Sequence, residues 1–241
     1  MPNEDLIYFG DTARVPYGAK SSTTVIRYAR EITQFLLDQN VKSIVVACNT
    51  VSSHAMEAIK QMTTMPVFGV IDPAVRSLIQ RNPQNKKSGL IATKSTIASQ
   101  SYNNTLNKSG GIALLSKACP LLVPLVEEGY ANTPAAEMII RDYMDPLIAE
   151  GIEFLVLGCT HYPLIAPVLK ALYPKLTLID SAEETALDIA TALRQLKLLN
   201  QRSTSGKISL YVSDMTESVK ALKDLFFPNA IEKFEVHQLG D

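Results

Sequence analysis

Two stretches of this sequence, IVVACNT (residues 44–50) and LVLGCTH (residues 155–161), repeat one pattern. Each runs an apolar strand into a small residue, a cysteine and a turn that carries a threonine, and a helical pattern follows. The two cysteines, Cys48 and Cys159, are 111 residues apart, which is about the length of one small α/β domain. We therefore predict two similar halves that face each other and bring both thiols to one cleft.

Along the rest of the chain, short β-rich runs alternate with longer helical patterns. This alternation is typical of βα units around a mostly parallel sheet, so the predicted fold class is α/β. Several of the runs are apolar without alternation, as strands covered on both faces are. The predicted strands are Leu6–Phe9, Ser43–Ala47, Val67–Ile71, Gly89–Ala92, Gly111–Leu115, Phe154–Leu157, Leu176–Ile179, Ile208–Val212 and Lys233–His237.

Three kinds of sequence signal predict where helices lie. An apolar stripe with helical spacing is formed by Val25, Ala29, Ile32 and Leu36. Thr133 before Pro134 resembles a helix cap followed by a first-turn proline. The runs SAEE (residues 181–184) and DMTE (residues 214–217) resemble capping boxes, so helices are predicted to begin near residues 182 and 215.

The composition of the 241 residues excludes several classes of protein. Lys and Arg number 23 and Asp and Glu number 24, a net charge of -1 that gives no electrostatic reason to expect nucleic acid or an anionic membrane as the main partner. The longest apolar stretches, such as residues 118–126, are interrupted by proline and are too short to span a bilayer, and the first residues do not resemble a signal peptide. Three cysteines without a CxxC pair predict reduced thiols in a cytoplasm rather than a disulfide framework or a zinc ribbon.

Cys48 and Cys159 are each predicted at the carboxyl end of a strand, on the edge where open α/β sheets bind ligands. The helix that follows each turn points free N–H groups at the same spot, which favours a bound carboxylate and lowers the pKa of a thiol. The hydroxyls of Thr50 and Thr160 add donors for the same anion. Cys119 lacks this context and is predicted to be a packing residue.

Only His161 has a chemical neighbour at short range in the sequence, since His54 and His237 are predicted to be packing or solvent-facing residues. The side chains of Cys48, Cys159 and His161 are of types that bind zinc, but they lack the close-spaced pairs of zinc sites. The turn at Cys159 also lacks the second glycine of a nucleophile elbow, and no nucleotide-binding motif is present, so no cofactor is predicted. Two opposed thiols suit proton transfer on the two faces of a carbon acid, with fixed donors that stabilise a carbanionic transition state.

A set of motifs in this order and spacing resembles the glutamate racemases of the aspartate/glutamate racemase family. The motifs are YFGDT (8–12), VPYG (15–18), ACNT (47–50), GVIDP (69–73), Thr93 with Thr96, CP (119–120) through VEEG (126–129), and GCTHYP (158–163). The resemblance covers essentially the whole chain. It implies a cytoplasmic, cofactor-independent isomerase that interconverts L- and D-glutamate and supplies D-glutamate for peptidoglycan, commonly as a homodimer.

The resemblance also implies roles for individual residues. Cys48 and Cys159 would be the two proton-transfer thiols, with His161 assisting Cys159. The residues implied to contact substrate are Pro16, Tyr17, Gly18, Asn49, Thr50, Thr93, Thr96 and Thr160. Glu127 resembles an acidic residue near the site, and its alternative is a solvated charge at a helix end. The family fold implies two pseudo-symmetric α/β domains with the site between them, here 1–71 plus 181–241 and 72–180.

One departure from the family pattern lies at the N-terminus. These racemases begin with a strand that runs into Asp-Ser-Gly, whereas this sequence begins at what resembles the second strand. We therefore expect Cys48 to lack a carboxylate partner, the first domain to lack a strand and a helix, and racemase activity to be impaired. The alternatives are that Asp11 acts beside Cys48, that the protein is a non-catalytic carboxylate-binding or regulatory relative, or that it racemises another acidic amino acid such as aspartate.

Overall fold

The computed structural model describes residues 1–111, 113–216, 219–220, 223 and 231–240. The strands are β1 Leu6–Gly10, β2 Ile44–Val46, β3 Val67–Gly69, β4 Ser88–Ala92, β5 Leu115–Ala118, β6 Phe154–Gly158, β7 Thr177–Ile179, β8 Ile208–Val212 and β9 Ile231–Val236. The helices are α1 Ser22–Asp38, α2 Asn49–His54, α3 Met56–Lys60, α4 Ile71–Arg81, α5 Lys94–Ala98, α6 Ser101–Lys108, α7 Leu122–Glu127, α8 Pro134–Ala149, α9 Ala166–Leu172 and α10 Ala182–Gln195. Two short 3-10 turns span Tyr17–Ala19 and Tyr162–Ile165.

The strands form parallel sheets, and helices connect most consecutive strands, which confirms the α/β fold class. One sheet has the order β5-β4-β6-β7, a second has the order β1-β8-β9, and β2 pairs with β3. Since all of the pairings are parallel, the carboxyl ends of neighbouring strands meet at a common edge. That edge carries the candidate site in both halves of the chain.

The core of the second half explains why its strands read as continuous apolar runs. Every residue of β4 is buried, and in β6 only Phe154 is partly exposed. The side chains of Ile91, Leu155 and Leu157 pack in one cluster with Ile140 and other residues of α8. Burial on both faces removes the polar alternation that a half-exposed strand would show.

The five strands of the first half are divided between two sheets. Within the described residues, β1 pairs with β8 alone and β2 pairs with β3 alone, so both are edge strands. Leu6 and Tyr8 on β1 and Val45 on β2 are exposed. The backbone groups on the outer side of each edge are left without a ladder partner in the described part of the chain.

Most predicted helix boundaries are confirmed. In α1, Val25 and Ala29 are buried and the rest of the stripe is partly buried. Thr133 caps α8, because its side chain accepts a hydrogen bond from the backbone N–H of Ala136. Helix α10 begins at residue 182 as predicted, but Ser181 makes no side-chain capping bond, and Asp180 accepts the hydrogen bond from the Ala182 amide instead.

Three strands differ from the prediction by two residues or more. The strand predicted at Gly111–Leu115 begins only at Leu115, because Gly110 has a left-handed φ of 72° and the Gly111 amide bonds back to the Leu106 carbonyl to end α6. Residue 112 lies outside the described residues, as do 217 and 218 beside the helix start predicted near 215. Strand β3 ends early because Ile71 already begins α4, and β9 starts two residues before its predicted beginning. Among the helices of the described residues, none has the length and apolar character that crossing a bilayer requires.

Candidate active site

Cys159 lies where β6 ends, beside the end of β4. Ala92 pairs with Gly158 in the sheet, so the next residues of the two strands, Thr93 and Cys159, leave the sheet side by side. The Cys159 side chain is buried, and a 3-10 turn begins three residues later at Tyr162. The parallel register therefore brings Thr93, a predicted hydroxyl donor, next to Cys159, a predicted proton-transfer thiol.

Cys159, His161 and Glu127 form a chain of three contacting groups. His161 Nδ1 is 3.8 Å from Cys159 Sγ, and His161 Nε2 is 3.1 Å from Glu127 Oε1. With Nε2–H donating to the carboxylate, Nδ1 is the acceptor that faces the thiol proton. The imidazole is thus placed to take the proton of Cys159, and Glu127 is placed to stabilise the imidazolium that results. Glu127 is not a freely solvated helix-end charge.

Cys48 occupies the N-cap position of α2, directly beyond β2. Its side chain makes no capping hydrogen bond, but the amides of Thr50 and Val51 and the Thr50 hydroxyl lie near enough to act on the thiol and lower its pKa. This is the helix-start effect that the sequence predicts.

The sequence predicts that the N-termini of the following helices lower the pKa of both thiols. This prediction is wrong for the net direction in which each pKa moves. Burial raises the pKa of Cys159 to about 12, assisted by the charges of a Cys48 thiolate and of Glu127 and opposed by a hydrogen bond from the His161 amide. Burial also raises the pKa of Cys48, although the nearby Thr50 and Val51 amides and the Thr50 hydroxyl act to lower it. Desolvation outweighs the local dipole at both positions, so both groups rest as thiols near neutral pH.

The two cysteines are connected through their neighbours. Cys48 and Cys159 follow strands in different halves of the chain. The hydroxyl of Thr50, two residues after Cys48, is 3.0 Å from the hydroxyl of Thr93, which leaves the sheet beside Cys159. The strand ends that carry the two thiols therefore meet through this threonine contact.

Three buried threonine hydroxyls join the two halves beside the thiols. Thr50 Oγ1 is 3.0 Å from Thr93 Oγ1 and 3.2 Å from Thr96 Oγ1, and the latter two are 3.0 Å apart. Thr93 is also the N-cap of α5 and accepts a hydrogen bond from the Thr96 amide. Hydroxyl rotors in such a cluster can turn to donate to a bound carboxylate.

The 3-10 turn after Pro16 is held in place by a hydrogen bond from Tyr17 to Asp11. Tyr17 donates its hydroxyl to the Asp11 carboxylate, which also accepts hydrogen bonds from Arg14 Nε and from Ser213 Oγ, the latter at 2.9 Å. Asp11 and Ser213 lie next to each other because Gly10 and Val212 are paired in the sheet. Because the Asp11 carboxylate is occupied by hydrogen bonds that position the turn, it is poorly placed to act as the acid beside Cys48.

Gly18 packs directly against Thr93. A Cβ atom at Gly18 would lie 2.4 Å from Thr93 Cβ, which is much closer than two carbon atoms can approach. Only glycine therefore fits this contact. Pro16, immediately before the 3-10 turn, is exposed.

The remaining predicted residues, Thr160 and Asn49, differ in their exposure. Thr160 is exposed and borders a cavity of about 270 Å³ together with Glu127 and His161. Asn49 is buried as the first residue of α2. Its side-chain oxygen accepts a hydrogen bond from Tyr102, a residue that sequence reasoning missed. Tyr102 belongs to a different helix and carries no local signal of this contact.

The other cysteine and the other histidines lie where packing was predicted. Cys119 is fully buried in the core of the second half, and its carbonyl accepts a hydrogen bond from the Tyr162 hydroxyl. His237 packs against the Phe35 ring, and His54 contacts Ser95. In the described part of the chain, no group of three or more His, Cys, Asp or Glu side chains is arranged to hold a metal ion.

An α/β fold in which two strand ends from different halves each carry a cysteine and meet through Thr50 and Thr93 is suited to an amino-acid racemase. A family model described as Asp/Glu/Hydantoin racemase matches residues 1–188, and the chain belongs to that family. The chain is 41% identical to the glutamate racemase of Persephonella marina over 99% of its own length and 90% of that protein.

Solved structures agree with this assignment. The fold matches a glutamate racemase of Francisella tularensis in complex with D-glutamate, with a TM-score of 0.91, 33% identity and coverage of 98% of this chain and 89% of that one. It also matches a glutamate racemase of Thermus thermophilus in complex with β-chloro-D-alanine, with a TM-score of 0.86, 41% identity and coverage of 99% and 88%.

Proposed function

We propose that this protein is a cofactor-independent glutamate racemase that interconverts L- and D-glutamate and supplies D-glutamate for peptidoglycan. The observation that carries the proposal is the pair of thiols, Cys48 and Cys159, which follow strands in different halves whose ends meet through the contact of Thr50 with Thr93. Two acid-base groups on opposite faces of one carbon are what inversion by proton transfer requires.

The reaction begins with both thiols protonated. His161 takes the proton of Cys159, and the thiolate then removes the α-proton of one enantiomer of glutamate. The Cys48 thiol donates a proton to the opposite face of the carbanionic centre, which leaves a Cys48 thiolate and a protonated His161. The other enantiomer reacts from that state through the same steps in reverse, and exchange of protons with solvent interconverts that state and the one with both thiols protonated.

The donors beside the thiols stabilise the charge that develops on the substrate carboxylate. Thr50, Thr93 and Thr96 supply hydroxyls for this purpose, and the Asn49 amide binds the carboxylate in the ground state and the transition state alike. Pro16, Tyr17, Gly18 and Thr160 complete the lining in this proposal. Preorganised donors in a site that excludes water are worth more to a carbanionic transition state than the same groups in water.

The relatives support glutamate as the substrate. The Francisella tularensis protein is described in complex with D-glutamate, and the Persephonella marina protein is described as a glutamate racemase. Neither the expected impairment of activity nor the aspartate and non-catalytic alternatives receive support from these relatives.

Three further elements of the proposal concern organisation. The boundaries 1–71 plus 181–241 and 72–180 separate the domains, since the sheet pairings keep β4 to β7 apart from the other strands. The free thiols of Cys48, Cys119 and Cys159 suit a reducing cytoplasm. A homodimer is the expected assembly, which a measurement of mass in solution tests.

The function is tested by incubating the purified protein with L-glutamate in heavy water and following circular dichroism and mass. We expect the ellipticity to decay to zero and the D-glutamate formed to carry deuterium at the α-carbon, because a thiol proton exchanges with solvent before it is returned. L-Aspartate is expected to react far more slowly. If ellipticity stays constant at high protein concentration, or aspartate is the faster substrate, the proposal is wrong.

Substitution of Gly18 tests the contact that shapes the cleft. In Gly18→Ala the new Cβ meets Thr93 at 2.4 Å, so the turn that carries Tyr17 must move away from the hydroxyl cluster. Since a misplacement of about 1 Å can cost about 10²-fold in rate, we expect kcat/KM to fall at least about tenfold. Gly240→Ala is the matched control, because no heavy atom lies within 4 Å of a Cβ at that position. Equal rates in the two variants would show that the turn does not shape the site.

A further inference from the structure

Tyr102 contacts the candidate site from the opposite half of the molecule. It lies in α6, its side chain is 1% exposed, and its hydroxyl donates to Asn49 Oδ1 at 2.5 Å across a separation of 53 residues. Asn49 directly follows Cys48 and is itself 2% exposed. A short hydrogen bond between two buried groups at this position fixes the Asn49 amide against the second half of the chain.

The direction of that hydrogen bond determines which face of the amide remains available. A side-chain amide carries one acceptor oxygen and one NH₂ donor group. Tyr102 occupies the oxygen, and burial raises the pKa of Tyr102, so it remains a donor at neutral pH. The NH₂ group is the part of Asn49 that is left to meet a ligand.

The environment of Asn49 Nδ2 agrees with this. The nitrogen makes no hydrogen bond to any other described residue, and it is not among the fully enclosed side-chain nitrogen and oxygen atoms that lack a partner. It is therefore a donor without a partner among the described residues, at a residue that is almost fully buried. An unpaired donor next to Cys48 is suited to a carboxylate, whereas the same amide turned by half a rotation would present an acceptor oxygen.

We propose that Tyr102 is a positioning residue for the racemase reaction, which holds the Asn49 amide with its NH₂ group towards the substrate carboxylate. This inference rests on the proposed function, and it adds a residue that no sequence motif indicates. Tyr102 acts through Asn49 and does not itself touch the substrate. Its hydroxyl contributes to binding in the ground state and the transition state alike, because the carboxylate is present in both.

The test is a double-mutant cycle of Tyr102→Phe and Asn49→Ala, read as the Kd for D-glutamate by calorimetry and as KM and kcat. Tyr102→Phe keeps the ring and removes the donor, so the amide is free to turn. We expect Kd and KM to rise about fivefold to tenfold, with kcat within about twofold of wild type. In the Asn49→Ala background, the same substitution is expected to change neither Kd nor KM, because the group on which Tyr102 acts is gone.

Tyr173→Phe is the matched control. It also removes a phenol that donates at 2.5 Å, in this case to Asp145 on the surface, and we expect its Kd and KM to equal those of wild type. Unchanged Kd in Tyr102→Phe, or effects of the two substitutions that add, would overturn the inference while leaving the racemase proposal intact. A wild type that binds D-glutamate without turnover would overturn only the proposed function, and one that binds neither enantiomer would overturn both.

Discussion

Replacing either Cys48 or Cys159 by alanine is expected to abolish racemisation, with a loss of at least about 10³-fold in kcat/KM. Each variant keeps one thiol, so it can still exchange the α-proton of one enantiomer with solvent but cannot protonate the opposite face. In heavy water, Cys48→Ala and Cys159→Ala should therefore incorporate deuterium into opposite enantiomers of glutamate, in both cases without inversion. Mass spectrometry of each enantiomer after incubation with each variant measures this directly.

Cys119→Ala provides the matched control for loss of a thiol. Cys119 is fully buried among core side chains of the second half and is a packing residue. Its truncation is expected to lower stability by about 1 kcal/mol through a small cavity while kcat/KM per folded molecule stays near wild type. If Cys48→Ala and Cys159→Ala retained activity comparable to Cys119→Ala, the two cleft thiols would be structural and the mechanism would fail.

The positions of the two thiols could be predicted from the sequence because the determinants are local. An apolar strand, a cysteine and a helix start follow one another within a few residues at Cys48, and the structure retains that order, whereas a 3-10 turn takes the place of the predicted helix start after Cys159. Parallel pairing then brings Thr93 beside Cys159, which follows from the α/β class. The same local signals predict the starts of α8 and α10.

The properties that the sequence did not predict depend on tertiary packing. The helix-start effect on the thiols is local and was correctly identified, but burial opposes it and determines the direction in which the pKa of Cys159 moves. The contact between Tyr102 and Asn49 joins residues of two halves, so neither sequence neighbourhood contains it. Strand β5 was misplaced because the turn that ends α6 extends through Gly111, and no apolar pattern reports that turn.

The raised pKa of Cys159 makes its base an essential part of the site. A thiol with a pKa of about 12 is ionised in only about one molecule in 10⁴ at pH 8, so unassisted ionisation would limit the rate. His161 Nδ1, 3.8 Å from the sulfur, is placed to accept the proton as the thiol reacts, and Glu127, 3.1 Å from Nε2, stabilises the imidazolium, so the pair lowers this barrier. The expected contribution of such a positioned base is about 10²-fold.

His161→Asn is accordingly expected to lower kcat/KM about 10²-fold, and by the same factor in both directions, since the two enantiomers of glutamate have equal free energies. Because the thiolate form of a group with a raised pKa becomes more abundant as the pH rises, the rate of this variant should increase about tenfold per pH unit between about pH 7 and pH 10, while the rate of wild type changes much less.

Glu127→Gln keeps an acceptor for Nε2–H but loses the charge that stabilises the imidazolium, so its rate should lie between those of wild type and His161→Asn. His237→Asn, which alters only a packing contact with Phe35, is the control and should follow the wild-type profile. Parallel pH profiles for wild type and His161→Asn, measured as initial rates by circular dichroism, would mean that Cys159 loses its proton by another route.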